Sequence, residues 1–133
     1  MFSLILKDNY STIVVNEFTE SYPINYKYWN KYDYQRSWMI SLSKILHNSN
    51  SSTALITDMN YNRSKGTLAA WIVYRRSHKV VISQSIFSER NREIRFDEYG
   101  GLIIGNSLIG SFSKWKCNIN DIIEFCHGNS FIP

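Results

Sequence analysis

Three histidines, two cysteines and six glycines are the residues of this chain whose types invite a chemical reading. A ribonuclease-like site needs a general acid and a general base within hydrogen-bond reach of a phosphate, and a cation to hold the developing charge. His78 beside Arg75 and Arg76 supplies the pieces. However, His47, His78 and His127 fall at a helix end, in a hairpin turn and at a second helix end, and nothing in their spacing brings them together. No catalytic residue is assigned, and the chain reads as a non-enzyme. Cys126-His127 is half of a metal site at most, because the other cysteine, Cys117, stands nine residues earlier and no zinc spacing matches. Cys126 lies on the apolar side of its helix, where a free thiol behaves as a small hydrophobe. Gly100, Gly101, Gly105 and Gly110 are followed by no Lys-Ser or Lys-Thr and mark turns or bulges rather than a phosphate loop. No metal, cofactor or small-molecule substrate is expected.

The elements that must carry these residues follow from composition. The chain has 133 residues, the size of one domain, so residues 1–133 read as a single unit. Ala occurs three times while Ile, Val, Thr, Phe, Tyr and Trp make up 47 residues, so strands should outnumber helices. Two cysteines exclude a disulfide scaffold. No apolar run reaches the roughly 20 residues of a membrane helix, and no basic leader precedes the short apolar start, which points to a cytosolic protein without a membrane partner. The net charge is +4 and the pI about 9.1. The signs are interleaved along the chain, as on a solvated surface.

Apolar residues at 3–6 and 12–18 predict two strands. Tyr34, Trp38, Leu42 and Ile45 recur at helical spacing, with Met39 and Leu46 widening the stripe, and predict a long helix over about 33–47, capped by Asn30 or Asp33. Residues 53–61, 67–75 and 79–87 read as strands with connections too short for anything but an antiparallel meander. The middle strand is apolar on both faces and belongs inside the sheet. The next is one-sided and should sit nearer water. After two short apolar pieces (102–104 and 108–109) and a strand toward Phe112 and Trp115, Asn118 and Asp121 start a short C-terminal helix over about 119–127. Ile119, Ile122, Ile123, Phe125 and Cys126 form its buried face. The fold class is therefore α+β: an antiparallel sheet packed against one long and one short helix.

Two segments carry candidate binding residues. The aromatics between Tyr22 and Trp38, interleaved with Lys27, Lys31 and Arg36, suit either packing or single-strand nucleic-acid stacking. Tyr34 and Trp38 in the helix stripe, with Tyr28 and Trp29 stapling the incoming loop, favour packing. Residues 88–99 are charged and mixed in sign, and Glu89, Arg90, Arg92, Glu93, Arg95, Asp97, Glu98 and Tyr99 suit a specific protein-binding surface or a solvated loop equally.

Tyr28-Trp29, Asp33-Tyr34, Ser37-Trp38, Ser41-Leu42, Ala54-Leu55, Met59 and Trp71-Ile72-Val73-Tyr74 form a pattern, continued by Ser113-Lys114-Trp115, Asn120-Asp121-Ile122 and Phe125. It resembles the CdiI-type immunity proteins of bacterial contact-dependent growth inhibition, in particular the group with a Whirly-like fold. The likeness covers residues 22–74 and 112–125 and breaks down over 88–111. It implies a non-catalytic cytoplasmic protein that forms a tight one-to-one complex with the C-terminal domain of a cognate toxin, often a nuclease. The stretch where the pattern fails, carrying Glu89 to Tyr99, is then the expected toxin contact, with Asp58, Tyr61 and the following turn as its alternative. Inhibitors of basic nucleases tend to be acidic. A chain at +4 leaves an acidic toxin, a local acidic patch, or steric blocking away from the cleft. The alternative function is a single-stranded nucleic-acid binder.

Overall fold

The computed structural model of the chain describes residues 1–62, 65–88, 95–96, 102–103 and 114–128. Its elements run β1 (Phe2–Leu6), β2 (Tyr10–Val15), β3 (Phe18–Pro23), α1 (Lys31–His47), β4 (Asn50–Asn62), β5 (Lys65–Arg76) and β6 (Lys79–Ser88). They continue with β7 (Arg95–Phe96), β8 (Leu102–Ile103), β9 (Lys114–Asn118) and α2 (Ile119–Gly128). The α+β class expected from composition is the class observed. One antiparallel sheet has the order β1-β2-β3, a second the order β4-β5-β6-β9, and β7 pairs with β8.

The apolar alternation of β5 places Trp71 and Val73 on one face and Leu68, Ala70 and Ile72 on the other, all fully buried. The first face meets Phe2, Leu4, Ile13 and Val15 of the small sheet, Trp38, Leu42 and Ile45 of α1, and Ile119, Ile122, Phe125 and Cys126 of α2. The second gathers Tyr34, Ala54, Ile56 and Met59. A strand loaded on both sides thus lies inside its sheet, as its pattern requires.

Three expectations are corrected, and a fourth lies outside the described residues. The predicted strand 12–18 is two elements: Asn16, with φ 54°, turns the chain beside Glu17, and Val15 pairs with Phe18 at the start of β3. Asn tolerates this left-handed backbone better than most residues. Strand β6 does not sit at the wet side of the sheet, because β9 pairs along its first half. Ser83 and Ser85 are buried while Ile86 is exposed. Met39 and Ile123 lie outside the buried stripes of their helices and are exposed. The expected strand at 108–109 lies outside the described residues.

Both helix starts are built as the sequence suggested. Asn30 Oδ1 accepts the Asp33 amide and Asp33 Oδ2 accepts the Asn30 amide, each at 2.9 Å. At α2, Asp121 Oδ2 accepts the Asn118 amide at 3.0 Å and Asn118 Oδ1 accepts the Asn120 amide at 2.9 Å. These reciprocal bonds satisfy donors that a helix N-terminus leaves orphaned.

Candidate functional site

Strand β4 is an edge strand, and the long helix closes its free side. Three side chains of α1 spaced one and two turns apart bond successive backbone groups of β4. The Tyr34 hydroxyl accepts the Met59 amide at 2.9 Å. The Trp38 indole donates to the Ile56 carbonyl at 2.8 Å, and Ser41 Oγ donates to the Ala54 carbonyl at 2.8 Å. An open strand edge is a template for unwanted pairing, and covering it with a helix removes the hazard. The far end of α1 is held by Arg75, whose guanidinium donates to the Ile45 and Leu46 carbonyls at 2.7 and 3.1 Å and to the Ser77 carbonyl at 2.7 Å.

The β4–β5 register shifts between Ile56 and Asp58. Thr57 is the extra residue of this bulge, and the parity of the strand changes there. Ala54 and Ile56 stand opposite Ile72 and Ala70, and after the bulge Met59 takes that apolar face opposite Leu68. Asp58, opposite Ala69, therefore joins the face of Trp71. There β3 crosses the sheet, and the Trp71 indole donates to Glu20 Oε1 at 2.8 Å. Burial pushes the Asp58 carboxyl above its ordinary pKa of 3.8, while a hydrogen bond from the Asn25 side chain opposes the shift. The Tyr22 hydroxyl is also raised, first by burial and then by the charges of Asp58 and Glu20, so the three groups share one corner of the molecule. Asp58 Oδ1 is buried without a hydrogen-bond partner. Among the described residues neither carboxylate has a cationic partner.

Next to this corner runs the loop 24–30. The Tyr34 hydroxyl donates to the Asn25 carbonyl, and Asn25 Oδ1 accepts the Lys27 amide at 2.8 Å. Tyr26 and Trp29 set their ring edges against the Tyr34 ring at centroid distances of 6.1 and 5.3 Å. Burial is the main reason the Tyr34 hydroxyl is pushed up to about 12, so it stays a neutral donor at any physiological pH. The loop is thereby fixed at both ends, yet Tyr26, Tyr28 and Tyr32 stand 41%, 41% and 68% exposed. The Lys27 ammonium lies 5.3 Å from the centre of the Tyr28 ring.

The packing reading of the aromatic stretch holds for Tyr34, Trp38 and Trp29, whereas Tyr28 is exposed. The sequence did not single out Glu20, Tyr26 and Tyr32 as surface groups. A charged residue and a Pro in one short strand conceal the first, and aromatics near a helix start resemble core in the other two.

The sequence-predicted contact, Glu89, Arg90, Arg92, Glu93, Arg95, Asp97, Glu98 and Tyr99, lies outside the described residues except for the backbone of Arg95 in β7, which pairs with Ile103. The four glycines 100, 101, 105 and 110 also lie outside them. His47 ends α1, His78 sits in the β5–β6 turn and His127 lies in the last turn of α2, and among the described residues no hydrogen bond joins any two of them. No group of three or more His, Cys, Asp or Glu residues that could hold a metal occurs among the described residues. Both thiols are pushed up to about 11, chiefly by burial. Among the described residues no helix is long and apolar enough to cross a membrane.

The scaffold thus presents exposed tyrosines beside two carboxylates that have no cationic partner among the described residues. The family model described as CdiI N-terminal domain matches residues 24–125. The chain is 27% identical over 125 residues to the immunity protein CdiI of Enterobacter cloacae subsp. cloacae, a match spanning 88% of this chain and 83% of that protein. It shares the fold of a chain in the CdiA-CT/CdiI toxin and immunity complex from Enterobacter cloacae, with a TM-score of 0.69 and 23% identity over 99% of this chain and 100% of that one. The chain belongs to the CdiI N-terminal domain family, the CdiI-type immunity proteins of contact-dependent growth inhibition.

Proposed function

We propose that this protein, as one immunity domain over residues 1–133, neutralises the C-terminal toxin domain of its own contact-dependent growth inhibition system. It does so in the bacterial cytoplasm through a tight one-to-one complex, and the toxin is a nuclease. The family match across residues 24–125 carries this reading. An inhibitor of this kind makes and breaks no covalent bond. It needs a stiff scaffold and a complementary surface, and a standard interface of about 800 Å² per partner fits one flank of a domain this size. The buried helix–strand bonds of α1 and β4 supply the stiffness. The charged stretch carrying Glu89, Arg90, Arg92, Glu93, Arg95, Asp97, Glu98 and Tyr99 suits a specificity surface, since interleaved charges reject wrong partners.

The test is protection. Cells expressing the toxin domain encoded directly upstream of this chain should grow when the chain is co-expressed and stop when it is not. Failure to protect, together with salt-sensitive binding of a labelled single-stranded oligonucleotide, would replace the reading with nucleic-acid binding.

A further inference from the structure

The loop 24–30 and the first turn of α1 combine exposed tyrosines with a fixed backbone. Tyr26, Tyr28 and Tyr32 are exposed, and the backbone that carries them is held by Tyr34, by the Asn25 turn and by the Asn30–Asp33 capping box. Exposed tyrosines offer a large contact area at little conformational cost, and a loop already fixed in place loses little entropy on binding. The chemistry beside them indicates the sign of the partner. Asp58 is half-buried, with one carboxylate oxygen buried and unbonded. Glu20 is held over Trp71 by a single indole bond. The strand at Asp58 is joined to the loop through Tyr34, whose hydroxyl accepts the amide of the next residue, Met59, and donates to the Asn25 carbonyl. Charge so placed is weakly screened and lacks a counter-ion among the described residues.

We infer that the loop 24–30 and the first turn of α1, with the carboxylates of Glu20 and Asp58 beside them, form a docking surface for the cognate toxin domain that receives an arginine- or lysine-bearing patch on it. This rests on the neutralising function proposed above. It also gives a chain of net charge +4 two carboxylates without a cationic partner among the described residues, through which a basic partner can be attracted.

The experiment measures binding of the full chain to the purified toxin domain encoded directly upstream, at low and high salt, with a melt of every variant. Tyr28→Ala combined with Tyr32→Ala should raise Kd by about tenfold or more, as loss of a tyrosine hot spot does, with the melting temperature held. Asp58→Asn should slow association several-fold at low salt, with the difference shrinking at high salt. Its melting temperature at pH 7 should not fall, which a merely structural role for Asp58 would not allow. Wild-type binding with both variants within twofold of it overturns the docking surface while leaving the function intact. The contact would then lie elsewhere, as on 89–99. A wild-type chain that does not bind overturns the proposed function itself.

Discussion

Replacing Tyr34 with Phe removes one oxygen and tests how the loop is held. The side chain is fully buried. Its hydroxyl accepts the Met59 amide at 2.9 Å and donates to the Asn25 carbonyl. Phe keeps the ring, the edge contacts with Tyr26 and Trp29 and nearly all the apolar burial, so the transfer term is small. What remains is a buried Met59 amide with no acceptor, costing about 1–3 kcal/mol, whereas Asn25 is only half-buried and its carbonyl can be hydrated. At roughly 4 °C per kcal/mol for a domain of this size, the melting temperature should fall by about 4–12 °C. Amide exchange localises the effect: Met59 should lose protection, and the amides of loop 24–30 should exchange faster. Toxin affinity should fall with them, because the tyrosines would have to be ordered on binding. A change below about 0.5 kcal/mol with Met59 protection unaltered would refute the argument that this hydroxyl joins loop and strand.

Arg75→Ala should cost about 1–3 kcal/mol in denaturant melts by uncapping the Ile45 and Leu46 carbonyls. Arg75→Lys should recover little, because one ammonium cannot reproduce the fork that also reaches Ser77. The Asp121 carboxyl is held below its usual 3.8, first by the Asn118 amide and then by the Met1 ammonium. Its stabilising contribution is therefore present above pH 3.8 and lost as pH falls through its lower folded value. Asp121→Ala should lower stability at pH 7 by about 0.5–1 kcal/mol in thermal melts, and the difference should vanish at the acid end of the series. With Cys117 and Cys126 both at about 11, a thiol reagent at pH 7.5 should label the folded protein slowly and both cysteines promptly in denaturant, since the thiolate is the reactive form.

The legible parts of the fold are those encoded locally. The spacing of Tyr34, Trp38, Leu42 and Ile45 announces α1, and the short connections at 77–78 and near 62–65 force the meander. Strand β3 was not legible because only Glu20 and Tyr22 are half-buried along it, the rest being exposed. A strand without apolar alternation leaves no period-two signal. The interior position of β6 depends on β9, some 30 residues further on, and no local pattern reports that pairing. The bulge at Thr57 was equally invisible, and with it the turn of Asp58 toward Glu20. Asp58 could be named as an alternative contact from its place near a turn, but its companions on β3 and in the tyrosine loop come from elsewhere in the chain. Exposure of Tyr26, Tyr28 and Tyr32 is likewise a tertiary fact, since an aromatic near a helix start reads as core until its neighbours are placed.

Titration calorimetry of the purified chain with the toxin domain encoded upstream of it, run alongside a toxin activity assay, tests the central claim. The account predicts a stoichiometry of one, dissociation in the nanomolar range or tighter, and toxin activity that falls to zero at equivalence. No heat of binding, or full activity in the presence of excess chain, would contradict it.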